Sequence, residues 1–267
     1  MHLATRHACR ALAAIAIAAA AGCSHAGSPS PGALAPAATG GPRVVALISA
    51  SAEWKVIRAQ LTEPVAHDTP FGEWFVHRFG DRDVVFFHGG YGKVSAAGST
   101  QYAIDRWHPT LVVNLGTCGG FGGERKVGDI VLASETIIYD IFERMGDPDE
   151  AIEDFHTRLA SVWPERLAGR VIRAPLISAD GDLDPAAVGR LAAKYHAGVG
   201  DWESGAIAWV ATHNHVPVII LRGVTDVIDA DGNDPTYHAP GAWERASIAA
   251  MAALVSLFGD ALPDLVK

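Results

Sequence analysis

The sequence predicts a single α/β domain with a central, largely parallel sheet flanked by helices. Short apolar runs typical of buried strands recur along the chain, and segments with helical periodicity lie between several of them. Strands that alternate with helices favour a sheet covered on both faces. Of the 267 residues, about 225 remain once the N-terminal segment is set aside, and that length suits one α/β domain.

The N-terminal segment has the pattern of an export signal. The basic "MHLATRHACR" is followed by the apolar "ALAAIAIAAAAG"; a membrane-spanning helix needs roughly 20 apolar residues, so a secretory signal is favoured. "AAGC" at 20–23 resembles the lipobox of bacterial lipoproteins, which implies lipidation of Cys23; ordinary cleavage a few residues later is the alternative. Residues 24–42 are rich in Ser, Pro, Gly and Ala, which predicts a flexible tether.

This pattern divides the chain into a signal peptide (1–22), a lipidated cysteine with its tether (23–42) and a folded domain (43–267). We therefore expect the protein to be exported to the bacterial periplasm or cell envelope and anchored by lipid. Loss of the two arginines in the signal takes the formal net charge from −9 to −11. A domain this acidic is a poor partner for nucleic acid or anionic membranes, so membrane contact is expected only through the lipid. Cys118 would be the only cysteine in the domain, which excludes a disulfide framework.

The predicted elements follow one another in a clear order. Strand-like runs lie at 43–50, 73–79, 83–90, 110–116, 128–139, 169–178, 197–203 and 216–224, and helical periods lie at 93–107, 204–215 and 241–262. In sheets of this kind, ligands bind beyond the carboxyl ends of the strands. The residues just after each strand are therefore the first place to look for a site.

Three carboxylates and a glycine-rich segment follow predicted strands. Glu53, Glu203 and Asp226 each come shortly after an apolar run, and five glycines lie between residues 116 and 123. Each feature has a structural alternative: an acid at a helix start, a turn-capping aspartate, or a tight glycine turn. Their coincidence at strand ends favours a site. Neither "GGYGKV" nor "GTCGGFGG" matches a phosphate-binding or dinucleotide-binding motif.

Five segments resemble the nucleoside phosphorylase/hydrolase superfamily, and in particular its methylthioadenosine/S-adenosylhomocysteine nucleosidases. In chain order they are "ALISASAEWKVI", "GGYGKVSAA", "VVNLGTCGGFGGERKVGDIVLAS", "DWESGAIAWVA" and "VPVIILRGVTDV". The resemblance implies a nucleoside phosphorylase-like three-layer fold with a mixed, mostly parallel sheet. It also implies a small-molecule nucleoside substrate and a homodimer. No metal or organic cofactor is expected, because proton transfer and an activated water suffice for glycosidic cleavage.

The resemblance assigns roles to individual residues. Asp226 corresponds to the general acid at N7 of the purine, where a proton turns a poor leaving anion into a neutral base. Glu203 corresponds to the carboxylate that holds the ribose hydroxyls, and Glu53 to the one that positions and activates the attacking water. The remaining candidates are Thr117 and Arg222 at the water, Cys118 and Gly119 beside the base, and Thr225, Leu183 and Trp202 around the substrate.

Differences from the family bear on the nucleophile and the substrate. Related phosphorylases carry a phosphate-binding arginine after the first strand, whereas Glu53 would repel phosphate, so hydrolysis is favoured. In "SADGDL" (178–183), Asp182 and Leu183 stand where the family stacks an aromatic ring on adenine. Trp202, between two acids, could restore stacking area or pack in the core. The sequence thus predicts an exported purine N-ribosyl hydrolase, with a phosphorylase or a non-catalytic nucleoside-binding protein as alternatives.

Overall fold

A computed structural model describes residues 43–61, 65–160, 162–229, 231, 239 and 241–266. The signal peptide, the lipidated Cys23 and the tether predicted for residues 1–42 lie outside the described residues. Those elements remain predictions.

The described residues form ten strands and six α-helices, most of which were expected from the sequence. The strands are β1 (Val44–Ile48), β2 (His67–Asp68), β3 (Glu73–Phe79), β4 (Arg82–His88), β5 (Leu111–Phe121), β6 (Ile130–Ile138), β7 (His156–Arg158), β8 (Ile172–Ser178), β9 (Val199–Asp201) and β10 (Val218–Ile228). The helices are α1 (Ser51–Gln60), α2 (Gly92–Trp107), α3 (Pro148–Glu153), α4 (Pro185–Tyr195), α5 (Ser204–His213) and α6 (Ala242–Leu265).

The sheet is mixed, as predicted, and part of it closes into a ring. β5 pairs in parallel with β1 and with β10. From β10 the pairing continues through β6, β8 and β9 and returns to β5. On the other side, β1 pairs with β4, which leads through β3 to β2 at the edge. The carboxyl ends of β1, β5 and β10 therefore lie at the same edge of the sheet.

Two strands are longer than the sequence predicted. β5 continues through the glycine-rich segment, where Gly119 and Gly120 pair with β9, so this segment is not a tight turn. β10 continues to Ile228, and its register with β5 shifts between Val224 and Asp226. The prediction that Asp226 follows the strand is therefore wrong: it lies in the strand, at a bulge. Pairing between the two strands extends both, and a local pattern cannot reveal that.

Helices cover the sheet on both sides, which confirms the three-layer fold. One layer packs apolar residues of α2 and α5 against alternate positions of β1, β4 and β5. The other packs α1 and α6 against the intervening positions. α6 is long and apolar enough to cross a membrane by length and composition, yet half of its most apolar window is buried in the domain. Leu254 and Phe258 of this helix lie in the core, which makes α6 a core helix here.

Candidate active site

A pocket of about 340 Å³ opens where β5, β9 and β10 meet the first turns of α1 and α5. It contains nine of the ten residues that the sequence singled out for chemistry or binding. They are Glu53, Thr117, Cys118, Gly119, Leu183, Trp202, Glu203, Thr225 and Asp226. Residues from five separate segments of the chain thus converge on one cavity.

Glu53 lies at the start of α1 and points into the sheet. It is buried, and its Oε1 accepts hydrogen bonds from the backbone N–H of Thr117 (2.6 Å) and from Thr117 Oγ1 (2.8 Å). Its Oε2 accepts from the backbone N–H of Ala50 at 3.2 Å. These bonds tie the first turn of α1 to β5, so the carboxylate is fixed in position.

Asp226 stands on the wall opposite the glycines of β5. Its Oδ1 accepts a hydrogen bond of 2.7 Å from Thr225 Oγ1. A Cβ on Gly119 would lie 3.0 Å from Asp226 Oδ2 and 3.1 Å from the Leu183 side chain. The absence of a side chain at Gly119 therefore lets the Asp226 carboxyl group and Leu183 pack close to the backbone of β5, and this narrow slot has no room for a Cβ.

Glu203 precedes α5 and reaches across the pocket to another turn. Its Oε1 accepts a hydrogen bond of 3.0 Å from the backbone N–H of Gly92, at the start of α2. Burial raises the pKa of Glu203 to about 8; the charge of Arg222 opposes this shift, and those of Asp201 and Glu53 reinforce it. Glu203 therefore holds its proton more tightly than an exposed glutamate does.

Arg222 does not line the pocket but lies fully buried behind it. Its Nε is 2.7 Å from Asp201 Oδ2, and its Nη2 donates to Asn114 Oδ1 at 2.7 Å. Its Nη1 has no protein partner among the described residues. A Cβ on Gly116 would lie only 1.6 Å from that Nη1 and 3.2 Å from Glu53 Oε1. The guanidinium therefore occupies the space beneath Gly116 and directs one N–H group toward Glu53.

Cys118 contributes backbone to the pocket, while its side chain belongs to the core. The thiol is buried, and that burial raises its pKa well above the ordinary value. It is therefore a neutral thiol at physiological pH rather than a nucleophile. The Cys118 carbonyl accepts a long hydrogen bond, 3.4 Å, from Thr225 Oγ1.

Aromatic side chains stand at the mouth of the pocket. Trp202 lines the cavity and is only partly buried, so it does not pack in the core, and its ring lies 4.8 Å from that of Tyr91. Asp182 is exposed at the rim, whereas Leu183 turns inward against Gly119 and Gly200. Of these two residues, which correspond to the family's base-stacking position, Leu183 therefore faces the interior of the pocket and Asp182 lies at the rim.

The pocket residues that were not selected from the sequence as site residues include Tyr91, Tyr139, Asp201 and Trp243. Tyr91 lies inside the "GGYGKV" segment and Asp201 directly precedes Trp202, so both were within recognised motifs. No local signal indicated Trp243, which reaches the pocket from the start of α6.

Comparison with known proteins agrees with this fold. The chain belongs to the phosphorylase superfamily, which matches residues 38–258. Within that superfamily it is similar to a 5'-methylthioadenosine/S-adenosylhomocysteine nucleosidase of Geobacillus sp. (strain WCH70), with 30% identity over 179 residues, 60% of this chain and 75% of the relative.

Two further matches carry the same protein name. The nucleosidase of Marinomonas sp. (strain MWYL1) is 40% identical over 100 residues, 37% of this chain and 43% of the relative, so that match spans less than half of the relative. A solved structure of the nucleosidase from Colwellia psychrerythraea 34H in complex with adenine aligns with a TM-score of 0.67 at 22% identity. It covers 84% of this chain and 96% of that chain, and at this identity the likeness concerns the fold.

Proposed function

We propose that this protein hydrolyses the N-glycosidic bond of a purine nucleoside of the methylthioadenosine/adenosylhomocysteine class, releasing the free base and the ribose moiety. One observation carries the proposal: a single pocket brings Glu53, Glu203 and Asp226 together, and no Lys or Arg is among the described residues that line it. A pocket lined by carboxylates favours a neutral water over a phosphate anion as nucleophile. The nucleosidases to which the chain is similar support the same reaction.

Asp226 is proposed as the general acid. A base bound in the pocket beside Gly119 and Leu183 would have the Asp226 carboxyl at its edge. Transfer of the carboxyl proton to N7 of the purine lets the C1′–N9 bond break with its electron pair on a neutral base. The Thr225 hydroxyl, which donates to Asp226 Oδ1, orients the other carboxyl oxygen toward the base.

Glu53 is proposed to activate the attacking water. Its carboxylate and the Arg222 Nη1 group both lie beside Gly116. A water bound between the two groups would donate to Glu53 and accept from Arg222. Its oxygen bonds to C1′ as the glycosidic bond breaks, and its proton passes to Glu53. Glu203 is proposed to hydrogen-bond the ribose hydroxyls, and these bonds hold the sugar in place while the glycosidic bond breaks.

The test is purine release from methylthioadenosine, adenosylhomocysteine, adenosine and inosine, each with and without inorganic phosphate. We expect release that does not depend on phosphate and that is fastest for a 5′-substituted adenine nucleoside. Strict phosphate dependence would instead identify a phosphorylase. Tight binding of a nucleoside without release of base would contradict the hydrolase and identify a binding protein.

We also propose that the protein is exported and lipid-anchored at Cys23. The proposal rests on the basic and apolar segments before "AAGC" and on the Ser-, Pro- and Gly-rich residues that follow. Expression of the full chain with Cys23→Ser should move the protein from the detergent phase to the aqueous phase in detergent partitioning. An unchanged distribution in a Cys23→Ser sample would contradict the anchor, and Cys118→Ser is the matched control.

A homodimer is proposed from the family resemblance, supported by apolar side chains exposed near the pocket mouth. Val94 and Phe142 are 85% and 73% exposed. They lie on segments joined by the Lys93–Asp140 ion pair, next to the turn that carries Tyr91. Exposed apolar groups that lie close together are typical of protein–protein contacts.

A further inference from the structure

Three buried carboxylates share one buried cation at the pocket floor. Glu53, Asp201 and Glu203 are all less than a tenth exposed, and Arg222 is fully buried. Arg222 is also the only Lys or Arg classed as buried in the part of the chain that the structure describes. If all three acids were ionised, two negative charges would be buried without a counter-ion, which is costly enough that one acid would retain a proton.

Glu53 accepts three hydrogen bonds from the protein. Its carboxylate accepts from the Thr117 N–H, the Thr117 hydroxyl and the Ala50 N–H, at 2.6, 2.8 and 3.2 Å. Three donors directed at one carboxylate replace the water that a buried negative charge loses.

Asp201 has several donors and the cation in direct contact. Its Oδ1 accepts from Ser178 Oγ at 2.5 Å, and its Oδ2 accepts from Ser204 Oγ and lies 2.7 Å from Arg222 Nε. The backbone N–H of Ser204 adds a further donor at 3.2 Å. These donors and the contacting guanidinium compensate a negative charge at Asp201.

Glu203 differs from both. Among the described residues it accepts one hydrogen bond, from the Gly92 N–H, and its Oε2 lies 3.9 Å from Arg222 Nη2. That Nη2 already donates to Asn114, and the Nε of the same guanidinium faces Asp201. Glu203 therefore has the fewest donors of the three acids, and it lies farther than Asp201 from the shared cation.

We propose that Asp201 is a positioning residue that holds the charge of Arg222 away from Glu203, so that Glu203 carries a proton in the resting enzyme at neutral pH. A protonated Glu203 can donate a hydrogen bond to one ribose oxygen and accept one from another, which an ionised carboxylate cannot do. The inference deepens the proposed function, and rests on it only for the contact between Glu203 and ribose. The pKa of about 8 that burial gives Glu203 agrees with it.

Other ionisable groups face Glu203 from the elements packed around it. They are Arg222 and Asp226 on β10, Asp201 on β9, Glu53 on α1, Cys118 on β5, Tyr91 before α2 and Asp182 after β8. Burial raises the pKa of both the Cys118 thiol and the Tyr91 hydroxyl, so these two groups stay neutral through pH 8. A carboxyl group that loses its proton near pH 8 would therefore be diagnostic.

Isotope-edited infrared spectroscopy of protein labelled with ¹³C-glutamate tests the proposal directly between pH 5 and 9.5. We expect a protonated-glutamate band that disappears near pH 8 and is absent from Glu203→Gln. In Asp201→Asn, Glu203 becomes the nearest carboxylate to Arg222, so the midpoint should fall by at least one pH unit. Asp182→Asn, which removes an exposed acid at the rim, should leave the midpoint in place. No band at pH 6 in the wild type, or an unshifted midpoint in Asp201→Asn, would overturn the proposal.

Stability provides a second test that does not require Asp201→Asn to fold. A folded-state pKa above the unfolded value stabilises the protein at low pH, and this contribution is lost as pH rises toward 8. Relative to Glu203→Gln, the wild-type unfolding equilibrium constant should therefore rise by up to about tenfold per pH unit, and then level off above pH 8. Urea unfolding from pH 5.5 to 9 measures this, and parallel profiles for the two proteins would overturn the proposal. Neither test measures turnover, so a failure of this inference would be distinguishable from a failure of the proposed hydrolysis.

Discussion

At the scale of single residues, the pocket carboxylates are distinguished by their neighbours rather than by their chemistry. Glu53 accepts three hydrogen bonds from the protein, whereas Glu203 accepts one and has an elevated pKa. Asp226 adjoins the slot beside Gly119 and contacts the Thr225 hydroxyl. The same functional group can thus serve as base, ribose ligand and acid within one cavity, because each position differs in donors and burial.

Asp226→Asn should remove most turnover without unfolding the protein. Asn keeps the size of the side chain but cannot deliver a proton, and loss of a general acid lowers kcat by about 10²- to 10⁴-fold. We expect purine release to fall by that factor while the thermal unfolding midpoint changes by only a few degrees. Asp81→Asn, in the exposed turn between β3 and β4 and outside the pocket lining, is the matched control and should retain activity. Full activity in Asp226→Asn would refute its role as the acid.

At the scale of elements, the site depends on close approach between β5 and β10. Gly116 pairs with Arg222 across these two strands, and the Arg222 side chain fills the space where a Cβ at Gly116 would lie. Extension of both strands then carries Thr117, Gly119 and Asp226 to the pocket wall. The glycines of β5 are therefore required by packing against side chains and not by a turn.

Gly116→Ala should damage both stability and activity. The new methyl group would lie 1.6 Å from Arg222 Nη1 and displace a fully buried guanidinium from Asp201 and Asn114. Disruption of a buried ion pair costs about 3–5 kcal/mol, and thermal unfolding should reveal it. Purine release should fall about 10²-fold, because the water pocket is distorted.

Gly169→Ala is the control for that substitution, since a Cβ there meets no atom within 4 Å. Its thermal unfolding midpoint and its rate of purine release should match those of the wild type. A Gly116→Ala protein with wild-type stability and turnover would show that Arg222 can relocate without consequence, contrary to the packing described here.

At the scale of the whole molecule, the exposed apolar side chains near the pocket mouth suggest where a second subunit would bind. Val94, Phe142 and Met145 are the relevant positions, and Met145 is almost fully exposed. In addition, the Lys93–Asp140 ion pair and the hydrogen bond from Gly92 to Glu203 connect this surface to the site. A dimer contact here would therefore act on the residues that hold Glu203.

Phe142→Asp should convert a dimer into a monomer, because it places a charge in an apolar contact. Light scattering coupled to size-exclusion chromatography measures the mass of the particle in solution. Val65→Asp is the control, since Val65 is comparably exposed but precedes the edge strand β2, away from the pocket. A wild-type chain that elutes as a monomer at every concentration would rule out the proposed homodimer.

Much of the fold was readable from the sequence because strands and helices have local periods. Apolar runs located the core strands β1, β3, β4 and β6 to within a few residues, and helical spacing located α2 and α5. The short elements α3, β2 and β7 and the helix α4 were not predicted. α3, β2 and β7 span only a few residues, and α4 begins from an aspartate cap and a proline that were not taken as a helix start.

The sequence alone determined the α/β class, the order of the elements and three carboxylates near strand ends, because these depend on residues that are neighbours in the chain. Only the tertiary structure decided which neighbours those carboxylates have. Glu203 bonds to Gly92, 111 residues away, and Arg222 bonds to Asn114, 108 residues away. The burial of Arg222 behind the pocket, and its preference for Asp201 over Glu203, arise from such contacts. Local sequence patterns do not reveal these contacts. The proton affinity of a buried acid depends on the groups that folding brings around it.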